Sequence, residues 1–232
     1  MGVITVSRQL GSQGCAIASE VAERLGYRLV DREIIHRAAR KAGVPQIALQ
    51  EIAYDGRRDV ADRILQAVNA LPPVPSTAET WRREMEAPTK QPFGGFFSPA
   101  VPSFAVTLKD YVEMVGIIVR DLAAQGDVVV AGRGGQSLLR GTPNVLHVQI
   151  VAPVEQRVAV VAAREGIAED EALSKVRASD EARKDYLRRY HGVLWLDPLL
   201  YDLVINTLKV PASLAATTIV DAYRQLPAVA HG

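Results

Sequence analysis

Five short apolar runs punctuate the chain, at residues 3–6, 28–30, 127–131, 145–151 and 202–206. Four of them are rich in Val and Ile without clean polar alternation, the pattern of strands that helices cover on both faces. Between them the spacing turns helical. Ile17, Val21 and Leu25 recur at i, i+4 and i+8, Tyr111, Val115, Ile118 and Leu122 form a second stripe, and Val154, Val158 and Val161 form a third. Strands alternating with such stripes predict an α/β fold on a parallel five-stranded sheet. Its crossovers would be right-handed and its ligands would bind beyond the carboxyl ends of the strands.

The pattern fails at about residues 71–104. Pro72, Pro73, Pro75, Pro88, Pro92, Gly94, Gly95, Pro99 and Pro102 leave no room for a continuous helix or strand there. This segment reads as a flexible insertion, either an exposed loop of variable length or a flap over a substrate. A single domain over 1–232 is expected, with its core in about 1–70 and 105–226 and a frayed tail after Leu226.

Composition narrows the function classes. A chain of 232 residues that is 48% hydrophobic can bury a sizeable core. The formal net charge of +1 gives no overall field that would draw it onto nucleic acid or an anionic membrane. One cysteine rules out an intramolecular disulfide framework and a cysteine zinc cluster. No apolar run approaches the ~18 residues of a membrane span, and the amino terminus lacks the form of a signal peptide. A soluble, cytoplasmic protein acting on small molecules is the expectation.

The first strand runs into Ser7-Arg8-Gln9-Leu10-Gly11-Ser12-Gln13-Gly14, and a helix follows from about Cys15 or Ala16. Strand, glycine loop and helix in that order aim backbone N–H groups and a helix amino terminus at an anion. Ser7, Arg8, Gln9, Gly11, Ser12, Gln13, Gly14 and Cys15 are thus candidates for wrapping a phosphate chain. The usual phosphate loop has a lysine after its last glycine and then a Ser or Thr. Aligned on strand and helix, Gly14 stands at the lysine position and Cys15 and Ala16 follow. Arg8, a long cation inside the loop, could replace the lysine. Cys15 is either a reactive thiol at a helix amino terminus or a small buried one, the commoner case. The loop does not supply Gly-x-Gly-x-x-Gly, which weakens a dinucleotide-dependent oxidoreductase reading.

The opening 4–14, with Ile17-Ala18 and the stretch 25–35, resembles the bacterial cytidylate kinase-like family. Further matches are Gly132-Arg133-Gly134, Asp180 with Arg183 and Tyr186, and Asp197-Pro198 followed by 201–207. The resemblance covers nearly the whole chain apart from the proline-rich segment. It implies a three-layer fold of the P-loop NTPase kind, with a lysine-less loop and a helical lid at about 155–192. It also implies ATP and Mg2+ as cofactors and phosphoryl transfer to a nucleoside monophosphate, CMP or dCMP first. Two departures stand out. Family members commonly place Arg-Glu where this chain has Cys15-Ala16, and cytidylate-type kinases carry an aspartate where it has Gly134.

Phosphoryl transfer depends on alignment and on cations that neutralise the moving group, so arginines carry the candidate chemistry. Arg8, Arg133 and Arg183 are the catalytic candidates. Arg133 lies between glycines at the carboxyl end of a strand, suited to bidentate phosphate binding or to a structural ion pair. Asp31, Arg37, Arg133 and Arg157 are the substrate-binding candidates. Asp31 either orients an acceptor or a magnesium-bound water, or caps the helix after it. By the resemblance Arg37 contacts the acceptor phosphate; otherwise it is solvated. Arg157 and Arg164 share a helix face and Arg177, Arg183, Arg188 and Arg189 follow. The resemblance makes these lid arginines, while ordinary helix surface balanced by Glu155, Glu165, Asp180 and Glu181 is the alternative. His36, His147 and His191 show no metal-ligand spacing and read as structural, and Trp195 and Tyr201 read as core aromatics. Against the kinase stands a nucleotide-binding regulator without chemistry, suggested by Gly14, Cys15, Ala16 and Gly134.

Overall fold

The computed structural model describes residues 2–31 and 108–226. The expectations for Arg37, for a helix capped by Asp31 and for the proline-rich segment lie outside the described residues. Two compact units divide the chain, Met1–Arg32 with Val119–Gly232, and Glu33–Ile118. The architecture below is that of the first.

Five parallel strands form one sheet in the order β2-β3-β1-β4-β5. They are β1 (Val3–Arg8), β2 (Arg28–Val30), β3 (Val128–Ala131), β4 (Val145–Val151) and β5 (Leu203–Asn206). The helices are α1 (Gly14–Leu25), α2 (Leu108–Gln125), α3 (Gly135–Leu138), α4 (Val154–Glu165), α5 (Glu169–His191) and α6 (Ala212–Arg224). A 3-10 turn, Pro198–Leu200, precedes β5. β1 runs two residues beyond its apolar stretch because Ser7 and Arg8 pair with Gln149 and Ile150 of β4, which carries the strand to the mouth of the loop.

The two faces of the sheet differ in chemistry. Ile4, Val6, Leu146, Val148, Ile150 and Ile205 project to one side, where Ile17, Ala18 and Val21 of α1 and Ala215, Ala216 and Ile219 of α6 bury them. Removing that apolar surface from water, at about 25 cal/mol per Å2, is the main favourable term in folding such a core. The alternate residues of β1 and β4, namely Thr5, Ser7, His147 and Gln149, face the other way, and Thr5, Ser7 and Gln149 are buried despite being polar. Both faces are covered as the apolar runs suggested, but one carries a buried polar layer, hydrogen-bonded at Thr5 and Ser7 and without a partner at the Gln149 amide. Thr5 Oγ1 lies 2.7 Å from His147 Nδ1. Trp195 Nε1 donates to Ser7 Oγ at 3.0 Å, and the Tyr201 hydroxyl donates to the Trp195 carbonyl at 2.7 Å.

α4 and α5 form a hairpin with its own small core of Val158, Val161, Ala172 and Val176, into which Leu10 of the first loop also packs. No helix among the described residues is long and apolar enough to cross a membrane.

Candidate active site

The first loop presents backbone rather than side chains to whatever it binds. Ser7 Oγ is taken by Trp195. Gln9 Oε1 accepts from the Ala152 amide at 3.0 Å, and the buried Ser12 hydroxyl donates to the carbonyls of Gln9 and Ile150. These three side chains fix the loop's shape from behind. The carbonyl of Ser12 is held in turn by the Thr207 hydroxyl at 3.2 Å, just past the end of β5. Gly11 closes on α4: at φ 81° a Cβ there would stand 2.5 Å from the Arg157 carbonyl oxygen.

α1 then begins at Gly14 with no side-chain cap on its amino terminus and no acidic residue in its first turn. Its leading N–H groups have no intrahelical partners, and the helix dipole adds partial positive charge at that point. Gln13, in the left-handed conformation at φ 61°, turns the chain into the helix. The result is a concave set of donors open to an anion.

Arg8 crosses this cradle. Its stem passes over Gly14, where a Cβ would meet Arg8 Cβ and stand 2.9 Å from Cγ. Its guanidinium ends over Gly132 at the tip of β3, where a Cβ would collide with Nη1 and lie 3.2 Å from Cζ. Two glycines far apart in sequence thus leave the channel that this side chain occupies. Arg8 Nε is buried without a hydrogen-bond partner, and no ion pair reaches the side chain among the described residues. A buried donor left unmade costs about 1–3 kcal/mol, more when charged, so this guanidinium is held at a cost to the fold.

Arg183, projecting from α5, is the second cation. Its Nη1 bonds the carbonyl and hydroxyl of Ser179 one turn back, and its guanidinium carbon lies 5.7 Å from the centre of the Trp195 ring. Burial first, and the neighbouring Arg8 second, push its pKa down to about 10, while Asp180 opposes the fall. It stays protonated at neutral pH. Two guanidinium groups repelling each other beside an uncapped helix amino terminus form a site short of negative charge.

The turn after β3 supplies a third element. Gly132, Arg133 and Gly134 occupy the left-handed region in succession, at φ 82°, 58° and 69°. Arg133 has a Cβ, so this geometry costs on the order of 1–2 kcal/mol there. Strain of this kind concentrates at functional sites. Asp31 directly follows β2 at the same carboxyl edge of the sheet. Arg133 and Asp31 therefore sit at strand ends as expected, Arg8 is the last residue of β1 rather than a loop residue, and Arg183 lies beside Arg8.

Arg157 is placed differently from its expected role. It is buried behind the loop, where Nε donates to the Ala152 carbonyl, Nη1 to the Leu10 carbonyl, and Nη1 and Nη2 together grip Asp180 at 3.1 and 2.8 Å. Its guanidinium holds the loop and the α4–α5 hairpin together. Arg164, a full seven residues on, is exposed and pairs with Glu165, and Arg188 and Arg189 are exposed and share Asp185. For these three the surface reading holds. The expectation of a buried thiol is corrected: Cys15 is exposed, because it lies off the face of α1 that buries Gly14, Ile17, Ala18 and Val21.

Several of the contacts that build the site are invisible in the pattern of the sequence. Asp180 is the counter-ion of Arg157 across 23 positions, Thr207 braces the loop across 195, and Ser7, Trp195 and Tyr201 form one network. Burial pushes the Tyr201 hydroxyl up to about 12, keeping it a neutral donor. The single signal that could have pointed to this layer is the alternation of Thr5 with Ser7 and of His147 with Gln149 inside otherwise apolar strands. No group of three His, Cys, Asp or Glu that could hold a metal gathers among the described residues.

A profile of the cytidylate kinase-like family matches residues 3–209. Curated relatives include the cytidylate kinase of Sulfolobus acidocaldarius, 30% identical over 108 residues that make 47% of this chain and 57% of the relative. The cytidylate kinase of Pyrococcus horikoshii is 37% identical over 90 residues, 38% of this chain and 45% of the relative. The chain spans about half the length of the curated relatives it matches. These relatives are archaeal, so the narrower resemblance to bacterial members gains no support from them. A crystal structure of an uncharacterised protein from Eubacterium ventriosum shares the fold, with a TM-score of 0.63 at 18% identity, covering 97% of this chain and 99% of its own.

Proposed function

Because the chain belongs to the cytidylate kinase-like family, we propose that it is a nucleotide kinase moving the terminal phosphoryl of ATP to a nucleoside monophosphate, CMP or dCMP first. The observation that carries this reading is the convergence of Arg8 and Arg183 on an uncapped helix amino terminus with no carboxylate bonded to either guanidinium among the described residues. A resting protein tolerates two unneutralised cations there when its ligand brings the negative charge.

The chemistry is the making and breaking of one bond. An oxygen of the acceptor phosphate attacks the γ-phosphorus in line, the bond from that phosphorus to the β–γ bridging oxygen breaks, and ADP leaves with the bridging oxygen. The transition state is loose and its charge is spread over the equatorial oxygens, so the protein contributes alignment and cations rather than covalent steps. The loop amides hold the phosphate chain of ATP. Arg8 takes the place of the absent lysine, reaching the phosphates from the strand side while Arg183 approaches from α5. Arg133, at the strained turn, and Asp31, at the end of β2, stand on the acceptor side.

Bound together with the nucleotide, magnesium would supply charge neutralisation at the phosphates. The described residues do not form a cage for it: Ser12 is engaged by carbonyls, and position 15, where the usual loop offers a hydroxyl, is Cys15. The arginines therefore carry the protein's share of the neutralisation.

Magnesium-ATP offered with each of CMP, dCMP, UMP, AMP and GMP tests the reading through ADP release, with nucleotide binding followed by thermal shift. ADP should appear fastest with CMP or dCMP. At 100 times its dissociation constant ATP should add about 2.7 kcal/mol of stability. Clear ATP binding without turnover of any monophosphate would overturn the kinase and leave a nucleotide-binding regulator.

A further inference from the structure

The inward stripe of α5 continues past Arg183. Arg183, Leu187 and His191 recur at i, i+4 and i+8, so they share one face of the helix. Leu187 is buried and His191 half-buried, and the two polar residues stand about 12 Å apart along the axis by helix rise. Arg183 reaches Arg8 and the loop. His191 reaches the turn after β3.

There its imidazole fills the space that a side chain at position 134 would need. A Cβ on Gly134 would lie 2.6 Å from Nε2, 3.0 Å from Cε1 and 3.1 Å from Cδ2 of His191. The ring rests 5.3 Å from that of Tyr186 on the same helix. Its Nε2 is buried and makes no hydrogen bond. Burial, with Arg120 of α2 adding to it, lowers the imidazole pKa below its ordinary value, so at neutral pH the ring carries no charge. A neutral imidazole with an orphaned nitrogen suits a neutral hydrogen-bonding edge. It does not suit a phosphate, which would favour the protonated ring that burial and Arg120 oppose.

We propose that His191 is a specificity-determining residue that reads the heterocyclic edge of the acceptor nucleotide from its place against Gly134, while Arg183 on the same helix face attends to phosphate. This rests on the nucleotide kinase reading. The ligand has a phosphate at one end and a flat neutral ring at the other, matching the order of cation and imidazole along α5. A neutral imidazole offers one donor or one acceptor according to its tautomer. It therefore chooses between amino-bearing and keto-bearing pyrimidines by a single hydrogen bond rather than by charge.

The test measures equilibrium dissociation constants of CMP, UMP and ATP by calorimetry for the full chain and for His191→Phe and His191→Gln, with KM and kcat alongside. His191→Phe keeps a ring in the same volume and should weaken the preferred pyrimidine monophosphate at least tenfold, raising KM more than it lowers kcat. Affinity for ATP should stay within twofold. His191→Gln should recover part of the loss and change the ratio of CMP to UMP affinity, which a merely structural role would not move. That ratio decides the matter should His191→Phe fail to fold. Monophosphate affinities and their ratio unchanged within twofold in the variants overturn this assignment alone. A wild-type chain that binds no nucleoside monophosphate overturns it together with the kinase reading.

Discussion

Arg8 illustrates how much a single side chain can be asked to do and how little of it the local sequence reveals. Its place at the mouth of a glycine loop marks it as a candidate phosphate cation, but its path does not follow from the loop. The guanidinium ends over Gly132, on a strand that neighbours β1 only because the chain returns more than a hundred residues later. The same holds for Cys15, whose exposure is set by which face of α1 is buried, and for His191, which meets Gly134 from 57 positions away. Because Arg8 Nε is buried without a partner, Arg8→Ala removes an unsatisfied group and should leave the melting temperature unchanged or raised. Turnover should fall by roughly 10²–10³, the usual loss when one charge-stabilising donor is deleted. Arg8→Lys should restore part of it. Steady-state kinetics beside a melting curve check both halves, and a variant that loses stability while keeping its rate would return Arg8 to a structural role.

Among the elements, strands and helices are the legible part. All five strands coincide with apolar runs, and the stripe of Ile17, Val21 and Leu25 falls on α1. Periodicity reports which face of an element is buried but not what covers it, so the tie between the first loop and the α4–α5 hairpin is absent from the pattern. That tie is Leu10 in the hairpin core and Arg157 gripping Asp180. With the Arg157 side chain 5% exposed and that of Asp180 17%, the pair is buried enough for its disruption to matter. Asp180→Ala should destabilise the fold by roughly 3–5 kcal/mol through the stranded cation, read as a shift in the urea midpoint. The double variant Arg157→Met, Asp180→Leu should recover most of that loss, since no charge is then left buried. A single-variant loss below about 1 kcal/mol would mean that the Ala152 and Leu10 carbonyls satisfy Arg157 unaided.

At the scale of the molecule, the polar layer on one face of the sheet sets how stability responds to acid. Burial lowers the pKa of His147, packed against Thr5 and near Asp202, and that of His191, near Arg120. The unfolded chain then binds protons more readily than the folded one, so this contribution is fully present above the ordinary histidine value of 6.5 and is lost as pH falls through the depressed folded values. Melting temperatures should hold from pH 8 to about 6.5 and decline below, ahead of carboxylate protonation. His147→Gln should flatten the decline. An equal slope in that variant would assign the acid sensitivity elsewhere. The α/β class and sheet are readable from the sequence because Val and Ile runs fix them. The buried polar layer is only half readable, since the alternation of Thr5 with Ser7 and of His147 with Gln149 marks a strand face without saying whether water or another side chain will meet it.

The crossing of Arg8 over Gly14 bears on ancestry. Gly14 stands at the position where the usual phosphate loop carries its lysine, yet any side chain there would run into the stem of Arg8. The two ways of placing a cation in this loop thus exclude one another. A lineage could pass between them only through a sequence holding both, which collides, or neither, which forfeits the charge. Gly14 and Arg8 should therefore be inherited as a unit, and Gly132 with them.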